Sequence, residues 1–263
     1  MLTHIDHVVI GVRDMEKGVA AYEGLLGRRA GSSVIRDGIE TRLVATGDVA
    51  VELIAPAGGG AMAQRLRAAL EDGGDGLKSI AFATDDIVRE HRRLERVGLA
   101  PSEIETRESW RSCRAATART HGVRIFLIQR EAPLAGHADG GVVGLDHLVI
   151  RSDDLERAAA LYGARLALSM RLDRDVGGRR LMFFRIGAAF VEIAEDKAAA
   201  RDRLWGLSWR VKDASAEQAR LKAAGLDVSD VRAGMKPGTR VFTVRDGTCG
   251  VPTLMIEARP IPD

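Results

Sequence analysis

Two histidines and two glutamates recur at one fixed spacing. The segment His7-Val8-Val9-Ile10-Gly11-Val12-Arg13-Asp14 returns, 140 residues on, as His147-Leu148-Val149-Ile150-Arg151-Ser152-Asp153-Asp154. With no gap, Val51-Glu52-Leu53-Ile54 returns as Val191-Glu192-Ile193-Ala194. Imidazole and carboxylate together ligate zinc, iron, manganese or nickel, and they also serve as general acid and base. Side chains alternate faces along a strand. The bulky set Val8, Ile10 and Val12 should pack on a helix, which turns His7 to the other face. Val51 and Leu53 should pack inward in the same way, which turns Glu52 outward. His and Glu then share one face of a sheet. Either residue alone suits a hydrogen-bonded strand histidine or a solvent-facing glutamate. Recurrence of both strengthens the site reading, although common descent produces the same pattern.

The elements that position these residues repeat one level deeper. Ser79-Ile80-Ala81-Phe82-Ala83-Thr84-Asp85-Asp86 and Gly206-Leu207-Ser208-Trp209-Arg210-Val211-Lys212-Asp213 follow the same strand pattern. Each copy ends on an aspartate in register (Asp14, Asp86, Asp154, Asp213), placed to cap the helix that follows. A second column, Tyr22, Leu94, Tyr162 and Leu221, falls in those helices and should face a sheet. Helical spacing predicts helices over Met15–Leu26 and Leu155–Leu166. Closing strands are expected over Val49–Ile54, Val123–Ile128, Ala188–Ala194 and Pro252–Ile256, with Pro252 at a strand start or edge. The chain thus reads as modules 1–58, 74–131, 143–196 and 202–258, each a strand, a helix and two or three further strands. Two domains, 1–131 and 143–263, are expected on either side of a small-residue linker at 132–142.

A net charge of +2 without a basic, aromatic-studded stripe excludes nucleic acid as the expected partner. No apolar run reaches membrane-spanning length, and the first strand starts too near Met1 for a signal peptide. Cys113 and Cys249 form no CxxC spacing, consistent with free thiols in a reducing cytoplasm.

Four such modules, with Ile5-Asp6-His7-Val8-Val9-Ile10, Val49-Ala50-Val51-Glu52-Leu53-Ile54-Ala55-Pro56, Gly76-Leu77-Lys78-Ser79-Ile80-Ala81-Phe82 and Gly144-Leu145-Asp146-His147-Leu148-Val149-Ile150, resemble the vicinal oxygen chelate superfamily. That superfamily includes glyoxalase I, methylmalonyl-CoA epimerase, extradiol dioxygenases and the bleomycin and fosfomycin resistance proteins. The first half is most similar to the epimerase branch, through Gly47-Asp48, Val51-Glu52-Leu53 and Gly76-Leu77. The resemblance implies an α+β fold of four βαβββ modules, paired into two cup-shaped, glyoxalase-like half-barrel domains. It also implies a divalent metal (Zn, Mn, Fe, Co or Ni) at His7, Glu52, His147 and Glu192.

The even modules depart from that pattern. Ser79 and Phe126 stand at the ligand positions of the second module, Gly206 and Leu254 at those of the fourth. Each cup then keeps two ligands, which disfavours a ring-cleaving dioxygenase and its two-His, one-carboxylate set. Three arrangements stay open: an added ligand such as His121 or Glu40, metal-free cups, or a first-with-third pairing that gathers all four residues. Ser79 and Gly206 suggest a cup opened for a larger substrate.

Around that cup, Glu40 reads as a general base and Arg42 as a fork for a carboxylate or phosphate, if Ile39, Thr41 and Leu43 pack on the helix. A surface ion pair between Glu40 and Arg42 fits equally. Arg180 with Met182 and Phe184 would line the second cup, and Arg210 shares a face with Gly206. Met235 to Arg240 reads as a turn, and Trp110 and Trp205 as rim or core residues that can also stack on a ligand. The expected activity is isomerisation, epimerisation or lyase-type proton transfer on a small oxygenated, anionic or aromatic metabolite, by a monomer or homodimer. The alternative is a metal-free cup that sequesters a ligand, as in the bleomycin resistance branch.

Overall fold

The structure, a computed structural model, describes residues 1–132, 134 and 141–258. Most of the expected linker lies outside these residues. The first module runs β1 (Leu2–Gly11), α1 (Met15–Leu26), β2 (Val34–Arg36), β3 (Ile39–Ala45) and β4 (Ala50–Pro56). A helix α2 (Ala61–Gly73) leads to β5 (Gly76–Thr84), α3 (Ile87–Arg96), β6 (Glu105–Thr106), β7 (Trp110–Arg114) and β8 (Ile125–Arg130). The third module is β9 (Val142–Ser152), α4 (Leu155–Ala159), β10 (Ser169–Asp175), β11 (Arg180–Ile186) and β12 (Ala189–Glu195). The fourth is β13 (Arg203–Val211), α5 (Ala214–Ala223), β14 (Arg232–Ala233), β15 (Thr239–Val244) and β16 (Thr253–Ala258). All four are βαβββ.

The strands form two eight-stranded sheets, ordered β2-β3-β4-β1-β5-β8-β7-β6 and β10-β11-β12-β9-β13-β16-β15-β14. Each sheet joins an odd module to the even module that follows it. The first and third modules do not share a sheet. Two glyoxalase-like halves of α+β class are thus present.

The local reasons are those of the sequence. Asp14, Asp86 and Asp154 accept the amides of Lys17, Arg89 and Arg157, and Asp213 accepts those of Ser215 and Ala216. Four helices therefore start on the same cap, which satisfies amides that have no intrahelical partner. Tyr22, Leu94, Tyr162 and Leu221 are all fully buried.

Two helices depart from expectation. Past Ala159 the third module's helix widens into a π turn over Ala160–Arg165, where Leu166 N–H donates to Leu161 O at 2.8 Å. Its twin α1 stays α-helical and stops at Gly27 in the left-handed region, φ 64°. At the matching place Ala167 takes φ 58° without a glycine's freedom. The second departure is α2, whose buried Ala63, Leu66 and Leu70 follow helical spacing.

Contacts divide the chain into two compact units, residues 1–8, 78–133 and 147–205, and residues 9–77, 134–146 and 206–263, as far as these are described. In the first, buried Glu90 holds Arg93, whose guanidinium caps the carbonyl of Arg165. In the second, buried Glu217 holds Arg220, which donates to Gly24 O at 2.8 Å and Leu25 O at 2.7 Å at the end of α1. Tyr22 there donates to Thr248 O at 3.2 Å.

Removing the Asp154 cap with Asp154→Ala should cost about 1 kcal/mol. Arg220→Met should cost about 3 kcal/mol, because it leaves Glu217 buried without its cation and strands two helix-end carbonyls. Urea denaturation monitored by circular dichroism measures both, and the order of the two costs is the check.

Candidate functional site

Strand register builds the site in the third module. β12 runs parallel to β9 and antiparallel to β11. Phe190 pairs with His147 and Arg185, Glu192 with Val149 and Phe183, and Ala194 with Arg151 and Leu181. Laterally paired residues point to the same side of a sheet. One face therefore carries these nine side chains: the polar dyad, five apolar side chains, and Arg151 and Arg185. The opposite face, with Leu148, Ile150, Val191, Ile193, Met182 and Phe184, is buried. The Tyr162 ring packs at 6.2 Å from Phe184, which marks that face as the helix side.

His147 Nε2 lies 3.1 Å from Glu192 Oε2, and each side chain is 12 % exposed. Phe183 meets the His147 ring edge-on at 5.7 Å, and Phe190 meets Phe183 at 6.2 Å. Val149, Leu181 and Ala194 form a buried apolar cluster, with Val176 and Phe183 packed on it. Little water reaches the pair, so charge on either partner is felt more strongly than it would be in water.

The register confirms which residues occupy the matching places in the even modules. Phe126 pairs with Ala81, and Leu254 with Ser208, as Glu192 pairs with Val149. Ser79, Phe126, Gly206 and Leu254 include no imidazole and no carboxylate. A catalytic divalent metal takes three protein ligands. Among the described residues no group of three or more His, Cys, Asp or Glu side chains is placed to hold one. Among the described residues the donor set at His147 and Glu192 is therefore one ligand short of that number.

The first module repeats the pair of residues in other surroundings. His7 Nδ1 lies 2.5 Å from Asp6 Oδ1, and Arg130 donates to both Asp6 oxygens at 2.7 and 2.8 Å. Burial pushes the Asp6 carboxyl up, but His7 and Arg130 outweigh it and hold the group at about 2. Glu52 is half-buried in β4 between fully buried Val51 and Leu53, opposite Leu43 of β3.

That last pairing corrects the expected face of β3. Leu43 shares the Glu52 side, so Glu40 and Arg42 lie on the other side, with Arg42 opposite Leu53. Arg42 accordingly sits 3.5 Å from Glu16 of α1 and 3.5 Å from Glu40, and Glu40 accepts from Ser33 at 2.7 Å. The same one-residue shift applies to β11. Arg180 faces α4, bound to Glu156 at 2.6 Å and to both oxygens of Asp173 at 2.8 and 2.6 Å, and Met182 and Phe184 are core. Arg210 does share a face with Gly206, but its guanidinium binds Asp48 and donates to Leu145 O at 2.5 Å.

Gly206 is not an opening. A Cβ there would stand 2.8 Å from the carbonyl of Pro252, so backbone approach requires the glycine. Lys236 to Thr239 is a turn, closed by Thr239 N–H to Lys236 O at 3.2 Å. Trp205 lies under the Arg151 guanidinium at 4.1 Å. His121 sits in a turn at φ 55°, where its carbonyl accepts from Asp202 N–H. The residues that sequence reasoning missed are Phe183, Phe190 and Arg185. Counting outward from Glu192 through a short hairpin would have found them.

Sheets that pair βαβββ modules, with His on a first strand and Glu on a last, define the vicinal oxygen chelate class. The glyoxalase-like domain profile matches residues 5–167, and the chain belongs to that family. No curated protein sequence matches it. Among solved structures, a mutant 4-hydroxymandelate synthase from Streptomyces coelicolor is similar at 16 % identity and TM-score 0.76, covering 99 % of this chain and 94 % of its own. A fusion protein titled xylose isomerase-like TIM barrel/4-hydroxyphenylpyruvate dioxygenase is similar at 14 % identity and TM-score 0.73, covering 100 % of this chain and 50 % of its own. Methylmalonyl-CoA epimerase from Mycobacterium tuberculosis covers 47 % of this chain and 93 % of its own at 22 % identity, with TM-score 0.42. Among the described residues no helix is long and apolar enough to cross a membrane.

Gly206→Ala should destabilise the protein by about 1–3 kcal/mol through the Pro252 contact. Gly24→Ala, which meets nothing within 4 Å inside α1, should stabilise it by about 0.5–1 kcal/mol. Thermal melts of the two variants test the pair of signs. Metal analysis of dialysed protein should find Zn, Mn, Fe, Co and Ni all substoichiometric. One tightly held equivalent that His147→Ala removes would contradict the donor count.

Proposed function

We propose that the chain is an enzyme of the vicinal oxygen chelate class that moves a proton on a small oxygenated metabolite, as an isomerase, epimerase or lyase. The contact of His147 with Glu192 beside a buried apolar cluster is the observation that carries this reading. Glu192 takes the proton from a carbon next to a carbonyl. His147, held against the carboxylate through Nε2, keeps it oriented. The proton taken by Glu192 goes back to the product from the carboxyl or across the 3.1 Å contact through His147, so both side chains end as they began. Such acid–base work contributes about 10²–10⁴ in rate. On this reading the domains are 1–131 and 143–263, and the protein acts in the cytoplasm.

A second reading is supported by Phe126, Gly206 and Leu254, which offer no further ionisable group at the matching positions. In it the face only holds a ligand, as resistance proteins of this class do.

Solvent exchange separates the two. The protein should introduce deuterium from D2O next to the carbonyl in at least one of a panel of 2-oxo acids, thioesters and aryl ketones. Glu192→Gln and His147→Ala should each slow that exchange by about 10²–10⁴. Binding of a panel compound without exchange above the buffer rate would reject the enzyme reading in favour of the binder.

A further inference from the structure

The gapless repeat shows what the second half has added around its dyad. His147 and Glu192 have twins in His7 and Glu52, and Val149 has a twin in Val9, but three other neighbours of the dyad do not match across the repeat. Phe183 stands where the first half has Leu43, Phe190 where it has Ala50, and Arg185 where it has Ala45. All three project from the dyad's face, Phe183 opposite Glu192 and Arg185 opposite Phe190. Common descent explains the repeated dyad. It does not explain two aromatic rings and a cation gathered on one copy alone.

Arg185 also differs from Arg180 and Arg151, two other arginines of this module. Arg180 is neutralised by Asp173 and Glu156. Arg151 is paired with Asp196 and stacked on Trp205. Arg185 is exposed, and its one described hydrogen bond runs from Nε to the carbonyl of Gly187 at 3.1 Å. Among the described residues no carboxylate pairs with it. Its strand lies two strand spacings from that of His147, roughly 10 Å. A ring beside Phe183 and Phe190 and a carboxylate on the guanidinium fit that span.

We propose that the second-half face binds a ring-bearing carboxylate, with Phe183 and Phe190 packing on the ring and Arg185 holding the acid group in a bidentate fork. The proposal rests on the reading of that face as the functional site, and it narrows the substrate from anionic or aromatic to both at once.

Phenylacetate, benzyl alcohol and acetate are the probes, read by ligand-observed NMR on the full chain. Phenylacetate should bind, benzyl alcohol should bind roughly ten- to hundredfold more weakly, and acetate should not bind detectably. Arg185→Ala should weaken phenylacetate to the level of benzyl alcohol, and Phe190→Ala should weaken both. Each change installs the residue its twin position already carries, so the fold has a precedent for it. Equal affinity of wild type and Arg185→Ala for phenylacetate, acetate binding as well as phenylacetate, or no binding of phenylacetate would overturn the proposal. These probes carry no carbonyl-activated proton exchange, so failure of the deuterium experiment leaves this result standing, and the reverse holds too.

Discussion

Everything at the site depends on the ladder that joins the first and last strands of a module. Parallel pairing of β9 with β12 sets Phe190 beside His147 and Glu192 beside Val149. That offset brings the imidazole within 3.1 Å of the carboxylate, although 45 residues of chain separate them in sequence. A one-residue slip would turn Glu192 into the helix-side core and expose Val191 or Ile193 instead. The buried row Leu148, Ile150, Val191 and Ile193 resists such a slip, since each loses about 1.5–3 kcal/mol of burial if exposed. Core packing on one face therefore holds the His147–Glu192 pair in place on the other.

The same constraint explains what duplication kept and what it let go. The helix side recurs in all four modules, down to the aspartate cap and the buried residue one turn or more beyond it. Those positions support the fold wherever they occur. The other face is free to vary once packing is satisfied, and it has diverged. The even modules carry Phe126, Gly206 and Leu254 where the odd ones carry ionisable residues, and Gly206 serves backbone approach rather than an open cup. A structural likeness to enzymes at 16 % and 14 % identity establishes the fold they share. The chemistry has to be argued from the side chains this chain keeps.

Much of the fold was legible because it is written four times. Asp14, Asp86, Asp154 and Asp213 mark helix starts by type and spacing, and α1 spans Met15–Leu26 as its periodicity predicts. The π turn in the third module was not legible, since Leu155 to Leu166 has the same apolar spacing as its α-helical twin. Helix α2 left a readable signal in Ala63, Leu66 and Leu70, but it lies between repeats. Of the site, His147 and Glu192 were visible through recurrence. The middle strands were not. In β3 and β11 polar and apolar residues alternate weakly, and assigning Glu40, Arg42 and Arg180 to the open face missed by one residue. Only the register with the neighbouring strand decides that parity, and the pairing Phe183 with Glu192 decides it here.

The central claim is that His147 and Glu192 act as one unit. A double-mutant cycle tests it most directly, using the kcat/KM of deuterium exchange for wild type, His147→Ala, Glu192→Gln and the double variant. Residues that work as a unit are strongly non-additive. The double variant should be no slower than the slower single variant, within about threefold. Full additivity, with the double variant losing the product of the two single losses, would show that the residues act independently and would contradict the account.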